Sequence, residues 1–467
     1  MSTLAGVARK MFAAAVAAVQ PDALVAALHF DDEGVEFAGR AMRPAGRLVL
    51  VAIGKAAPGL AAAFLARCCR QPDEVFVLAP DGVEAAADLR VVVRRAAHPV
   101  PDQRGAAAAR ELLDLFGSLA PEDGVVLLLS GGGSALLAEP VAGLEFAEMV
   151  AVQAALLRAG CPIGGFNAVR RHLLAAAGGR LGRACACPIL TLALSDVIGD
   201  DPATIASGPT VPDPTTCGDA LAVLERFEVT RRAPGAVAVL RAGGGAETPK
   251  PGDPALAHLA FSLLGSSRTA LRTASGCAQR LGFGTSVVTR RMRGEAREVG
   301  EWLAALAVGV GSGEPQALLF AGETTVDVRG SGCGGRNLEV ALSAAVGLAG
   351  SSGRIVLAAG SDGVDGSSPA AGAVVDGDTL VRGAMAGHDA ALALAANDSW
   401  GFFAGLPDAI VTGPTGTNVA DVAFILVAGR PVAILDEMLR GDRALPTFDG
   451  RCGPRGGGGA SRGPGES

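Results

Sequence analysis

Tyrosine is absent from the 467-residue chain. With Ala, Gly and Arg in excess, this reads as compositional bias without functional meaning. Charge is sparse as well: charged residues make up 19%, against about 25% in ordinary soluble domains. The formal net charge is −7 and the basic residues are scattered. That excludes a general polyanion partner such as nucleic acid and leaves room only for a local cationic pocket. The five histidines (His29, His98, His172, His258, His388) lie far apart in sequence. The nine cysteines are odd in number, with Cys185-x-Cys187 and Cys68-Cys69 as the only close spacings. Structural zinc wants two such pairs, or one pair with nearby histidines, so the cysteines read as reduced core thiols. No apolar stretch runs the roughly 18–20 residues of a spanning helix without Gly, Pro or charge intervening. The first twenty residues lack acids and carry Arg9 and Lys10. Leu4, Val7, Met11, Phe12, Ala15, Val16 and Val19 stand near helical spacing, which predicts an amphipathic first helix. A cytoplasmic protein is expected, with organellar import as the alternative.

What the chain does have is glycine, 66 residues of it. Twice an apolar run stops at a glycine and hydroxyl cluster and resumes with helical spacing. Val125–Leu129 leads into Ser130, Gly131, Gly132, Gly133 and Ser134. Thr324–Val328, read as a strand, leads into Gly330, Gly332, Gly334, Gly335, Arg336 and Asn337. A strand that ends in glycines and feeds a helix presents bare backbone N–H groups to a phosphate or carboxylate. Neither loop is a G-x-x-x-x-G-K-[ST] phosphate loop. Gly330, Gly332 and Gly335 satisfy G-x-G-x-x-G, but a dinucleotide site wants an acid about 20 residues further on. There the sequence reads GLAGSSGRIV.

Strand and helix patterns alternate from Leu48–Ile53 through Val75–Leu78, Arg90–Val93, Gly105–Phe116, Val125–Leu129, Leu144–Ala159 and Ile189–Leu194. Such alternation predicts an α/β fold with a mostly parallel, doubly wound sheet. The segment around Ala242–Pro254 (RAGGGAETPKPGDP, from Arg241) reads as a linker or a mobile loop. Beyond it come strands at Ser286–Thr289, Ala317–Phe320, Ile355–Ala359 and Ala409–Val411. The expected organisation is therefore a first domain over 1–241, a second α/β domain over 255–440, and a Gly/Arg/Pro tail over 441–467 too polar to fold. The tail reads as disordered. No short-period repeat is present.

Candidate ligand groups cluster after strands. Lys55 follows Leu48–Ile53 at a strand-to-helix turn, where open sheets place ligands. Arg336 follows the second glycine loop, where a planar guanidinium can take two phosphate oxygens. Ser195-Asp196 with Asp200, and Ser361-Asp362 with Asp365, place acids at the mouth of an anion site. Carboxylates belong there if a divalent cation lies between, or if one must accept a proton. Thr412 to Asn418 adds donors from Thr415, Thr417 and Asn418. His98, in HPVPD, reads as a turn residue without chemistry.

The segments VAIGKAAPG, AAHPVPD, LLLSGGGSALL, NAVRRHLLAAAGGRL, LALSDVIGDDPATIASGPTVPD, GETTVDVRGSGCGGRNLEVAL, GSDGVDGSSPAAGAVVD, NDSWGFF and VTGPTGTNVAD occur in that order from near Lys10 to about Val427. In these the chain resembles the class II glycerate kinases, the glycerate 2-kinase family whose C-terminal half is the MOFRL domain. Ser361, Ala321 and Ser266-Ser267 depart from the family pattern. The resemblance implies two α/β domains, the first Rossmann-like, with a cleft between them. It implies phosphorylation of D-glycerate by ATP with Mg²⁺ or another divalent cation, most often to 2-phosphoglycerate. By motif position it makes Lys55, Arg336 and Asp196 the catalytic residues. The glycine-loop residues (Ser130 to Ser134; Gly332, Gly334, Gly335, Asn337) with Thr415, Thr417 and Asn418 become the substrate and ATP contacts. Asp200 and Asp362 become candidate metal ligands. Asp196 is open to either base or metal duty, and the enzyme would work as a monomer or homodimer without membrane or nucleic-acid partners. A hydroxypyruvate reductase and a non-catalytic sensor of small acids are the rival expectations.

Overall fold

The computed structural model describes residues 3–84, 91–311 and 313–429. The tail expected to be disordered lies outside these residues, as does the end of the second domain.

Six apolar runs form the first sheet: β1 (Leu48–Ile53), β2 (Glu74–Pro80), β3 (Val93–Ala96), β4 (Gly124–Leu129), β5 (Ile189–Leu194) and β6 (Leu259–Gly265). Their order is β3-β2-β1-β4-β5-β6 and every pairing is parallel. Strands β1, β4 and β5 are buried throughout, as continuous Val/Leu/Ile runs must be when helices cover both faces. The winding reverses between β1 and β4, the switch point at which such sheets open a crevice. Ile53 pairs with Leu129 across it, so both strands release their loops at one edge. The helices α1 (Thr3–Ala17), α2 (Ala57–Arg67), α3 (Gln103–Gly117) and α4 (Ile163–Leu173) come from this half of the sequence.

The second sheet is mixed. Its strands are β7 (Gly284–Met292), β8 (Gln316–Gly322), β9 (Arg354–Gly360), β10 (Gly372–Asp376), β11 (Ala409–Ile410) and β12 (Asp421–Val427), in the order β7-β8-β12-β9-β10-β11. Strand β12 runs antiparallel between β8 and β9. Helices α5 (Ser267–Arg280), α6 (Ala296–Gly309) and α7 (Arg336–Leu348) belong to this half.

Three features differ from the sequence reading. Strand β6, which the 242–254 linker would assign to the second unit, is hydrogen-bonded to β5 as the last strand of the first sheet. The segment before it is a packed loop: Glu247 accepts from the Cys217 N–H at 3.0 Å and ion-pairs with Lys250, beside His172. Helix α1 packs on α5 and on the second sheet rather than on the first. Arg9 donates to the carbonyls of Pro407, Asp408 and Ala409, and the Thr417 hydroxyl donates to Val19 O at 2.6 Å. Finally, Thr324–Val328 is irregular, holding one bridge from Thr325 to Glu295. Strand β8 is already flanked on both sides and ends at Gly322, so the chain beyond it leaves the sheet for the cleft.

The two halves share apolar packing, since one cluster contains Met11, Leu50, Leu128, Leu271 and Phe424. No helix among the described residues is long and apolar enough to cross a membrane. Met11 is fully buried where α1 closes this cluster. Met11→Ala is expected to lower the unfolding free energy by about 2–5 kcal/mol. Urea denaturation measures it; an unchanged midpoint would mean that α1 is not part of the core.

Candidate active site

The ends of β1, β4 and β5 bring three sequence-distant loops together. The Lys55 N–H donates to Gly131 O at 2.9 Å, and Ser130 N–H donates to Ile53 O at 2.9 Å. The Ser130 hydroxyl is a strut between the loops, donating to Ile53 O and accepting from Ala56 N–H, rather than a free ligand. A β-carbon on Gly131 would stand 2.0 Å from Asp196 Oδ2, so only glycine lets that carboxylate rest against the loop. Gly132 has φ +91° and lies against the His98 ring and the Lys55 side chain. The Gly131, Gly132, Gly133 and Ser134 N–H groups donate to no acceptor among the described residues. Gly133 itself is buried, its Cα facing Ala206, and the Ser134 hydroxyl is 2.7 Å from that of Ser207. The first loop therefore keeps its donors for a ligand.

The second glycine loop does not. Asn397 Oδ1 accepts from the N–H groups of Arg329 and Gly330, Ala396 O from Gly332, Asp398 Oδ1 from Cys333, and Ser367 Oγ from Gly334. At the start of α7, where an anion was expected, the Asp365 carboxylate accepts from the N–H groups of Asn337 and Leu338 at 3.1 and 2.8 Å. It also takes the Asn337 amide at 3.2 Å, so Asn337 is a helix-start strut and not a ligand contact. The glycines allow close packing: β-carbons on Gly332 and Gly335 would strike Asp398 and Asp365. This loop is a scaffold that presents Arg336.

Arg336 is held by the Asp421 carboxylate, at 2.5 Å from Nε and 3.0 Å from Nη2, and by Glu323 at 3.0 Å from Nη1. Burial works against its charge, but the Asp421 carboxylate more than offsets that and raises the guanidinium above its ordinary value. Burial likewise pushes up the carboxyls of Asp196, Glu323 and Asp421. At Asp196 the Lys55 ammonium opposes the rise and Asp362 adds to it. Asp362, Asp421 and the Asn337 amide converge on the bare Cα of Gly360. Asn418 donates to Asp196 Oδ2 at 3.4 Å. Thr415 and Thr417 do not reach a ligand, because their hydroxyls donate to Ser361 O and Val19 O. Asp200 is turned away too, paired with Arg290 at 2.9 Å.

Between the two sheets lies a cleft of about 1270 Å³. Gly131, Gly132, Ser134, Asp196, Gly332, Gly334, Gly335 and Arg336 face it, together with residues to which the sequence reading gave no role: His98, Asn167, Arg170, Arg293, Glu323 and Thr324. The Thr324 hydroxyl is buried without a partner. The signal for His98, Asn167 and Arg170 was present in AAHPVPD and NAVRRHLL, two long matching motifs left without chemistry. Burial, then Lys55 and Arg170, hold the His98 imidazole below its ordinary range. The cleft lining thus carries basic groups (His98, Arg170, Arg336) and acids (Asp196, Glu323), with Lys55 and Asp362 close enough to Asp196 to act on it. Groups of both signs at one site can bind an anion together with a cation or a proton.

Residues 7–241 match the family described as "Domain of unknown function (DUF4147)", and residues 316–421 match the MOFRL family. The chain is 40% identical to a protein of Agrobacterium vitis named "Putative hydroxypyruvate reductase", over 90% of this chain and 94% of that one. It is 38% identical to the D-glycerate 2-kinase of Thermotoga maritima, over 82% and 91% of the two chains. The crystal structure of a glycerate kinase from Thermotoga maritima superposes with a TM-score of 0.80 at 34% identity, covering 91% of this chain and 99% of that one.

Burial pushes the Asp365 carboxyl up to about 6, against the pull of the helix N–H groups. A raised acid binds its proton more tightly in the folded state, so its stabilising contribution is present below about pH 4 and is lost as pH rises through about 6. Asp365→Asn is expected to flatten the stability slope across that window, read as urea midpoints at several pH values. An unaltered slope would mean that Asp365 is ionised alike in both states.

Proposed function

The chain belongs to the glycerate 2-kinase (MOFRL) family, and from that premise we propose that this cleft transfers the γ-phosphoryl group of ATP to a hydroxyl of D-glycerate. The observation that carries the reading is the unengaged row of N–H groups from Gly131 to Ser134, with the Asp196 carboxylate resting on Gly131 and Lys55 beside it.

Phosphoryl transfer asks a protein mainly for positioning and charge stabilisation. The Gly131–Ser134 amides and Lys55 suit the oxygens of the moving phosphoryl group, where negative charge must be held without reorganisation. Asp196 accepts the proton of the attacking hydroxyl; burial makes it more basic than an ordinary carboxylate. Arg336, fixed by Asp421 and Glu323, keeps N–H groups free to face the cleft and stabilises the charge passing to the departing diphosphate. Asp362 fits a divalent cation: its side chain accepts only from Val364 N–H at 3.3 Å, and it stands close enough to raise Asp196. Asp362, near Asp196, would hold Mg²⁺, which would supply positive charge to offset that of the phosphate oxygens. Asp200 does not fit that role, since Arg290 already neutralises it.

The name of the Agrobacterium relative raises a reductase reading. The G-x-G-x-x-G stretch here follows irregular chain, and most of its N–H groups are satisfied internally, so it suits no dinucleotide pyrophosphate. The names of the relatives support the 2-hydroxyl as acceptor, and a cytoplasmic enzyme acting on a small free acid fits these features.

Lys55→Ala and Arg336→Ala are each expected to lower kcat by about 10³-fold or more with unchanged circular dichroism. An ATP-coupled assay on D-glycerate checks this, with NMR of the product expected to show 2-phosphoglycerate. Near-normal turnover in both variants would remove them from the reaction.

Asp196 must be ionised to act, so kcat is expected to fall as pH drops through a value above the ordinary carboxylate range. Asp196→Asn should erase that acid limb and lower kcat by about 10²–10⁴-fold. A change confined to Mg²⁺ affinity would reassign Asp196 to the metal.

A further inference from the structure

Helix α4 carries adjacent arginines with opposite fates. Arg171 is buried and ion-paired with Asp213 at 2.9 Å, and it donates to Ala203 O at 3.1 Å. Arg170 forms no ion pair among the described residues. Its Nε is buried without a partner, and its one protein hydrogen bond is a long one, 3.4 Å from Nη2 to Gln153 Oε1. The guanidinium carbon lies over the Phe166 ring, 4.3 Å from its centroid, and Arg170 lines the cleft. One turn earlier on the same helix, Asn167 is 4% exposed, lines the cleft, and has no side-chain hydrogen bond among the described residues. His98 lines the cleft too; Arg170 is close enough to lower it.

A guanidinium removed from water without a counter-charge is costly, and burial alone holds Arg170 down at about 10. No carboxylate among the described residues pairs with it, and a ligand oxyanion would offset that cost. We infer that Arg170 binds the substrate's carboxylate, with the Asn167 amide on its hydroxyls, and so sets specificity for a small hydroxy acid over its neutral analogues. This rests on the kinase reading above and deepens it. A planar fork fixed on an aromatic ring matches the two coplanar oxygens of a carboxylate. The neutral amide beside it suits hydroxyl groups. The arrangement leaves Lys55 and Arg336 for phosphoryl charge.

The test compares the full-length chain with Arg170→Gln and Arg170→Lys, using D-glycerate and its uncharged amide, D-glyceramide, at saturating ATP. Arg170→Gln is expected to lower kcat/KM for D-glycerate by about 10²-fold or more, with KM for ATP shifted less than about 3-fold. Turnover of the amide should change little, so the preference for acid over amide collapses; Arg170→Lys should keep part of it. Survival of the full preference in Arg170→Gln would overturn the inference, as would a parallel rise in KM for ATP, which would assign Arg170 to phosphate. A wild-type measurement covers the case of a variant that fails to fold. D-Glycerate alone should protect Arg170 from an arginine-directed dicarbonyl, read by peptide mass spectrometry, and protection by nucleotide alone would overturn it. Wild-type protein that never phosphorylates D-glycerate would instead sink the kinase reading itself.

Discussion

The site is organised around a missing β-carbon. At Gly131 the Asp196 carboxylate occupies the space a side chain would take, so the ends of β4 and β5 meet with an acid pressed on bare backbone. That contact closes the floor of the cleft, leaves Asp196 partly buried and places it beside the unengaged amides of the same loop. Lys55 enters from β1 because its N–H is bonded to Gly131 O, and the Ser130 strut fixes the two loops to each other. Everything proposed for proton transfer depends on this one close approach.

Two loops of similar composition do different work for a reason visible in their donors. The Gly131–Ser134 amides have no acceptor among the described residues, whereas most of those of 329–338 are taken by Asn397, Ala396, Asp398, Ser367 and Asp365. Backbone amides bind an anion only if nothing else satisfies them. The second loop therefore contributes rigidity. Its product is the fixed position of Arg336, held by Asp421 on the central strand of the mixed sheet.

Electrostatics sets the character of the cleft. Its buried acids raise one another, burial lowers His98, and Arg170 forms no ion pair among the described residues. Pairing distinguishes the arginines better than burial does: Arg171 and Arg336 are ion-paired within the chain, and Arg170 has no ion pair among the described residues. The two sheets hold these groups at a set separation because α1 and the shared apolar cluster tie them together.

Much of this was legible in the sequence. The alternation of apolar runs with helical spacing determined a doubly wound parallel sheet, because buried parallel strands tolerate no polar alternation. The motif order pointed to the family, and glycines after β4 marked a loop whose amides have no acceptor among the described residues, with Lys55 and Asp196 against it. Tertiary structure alone decided the rest. Periodicity cannot say that Leu259–Gly265 continues the first sheet or that α1 caps the second, since an apolar face reports that it will be buried and not against what. Nor can composition reveal whether an amide, a hydroxyl or a guanidinium already has a partner. The Thr417 hydroxyl, the Asp200 carboxylate and the N-terminus of α7 all look available in the sequence, and each is engaged in the fold. Arg170 looks like one of a helical pair and is the one left unpaired, because Asp213, far along the chain, folds against its neighbour instead.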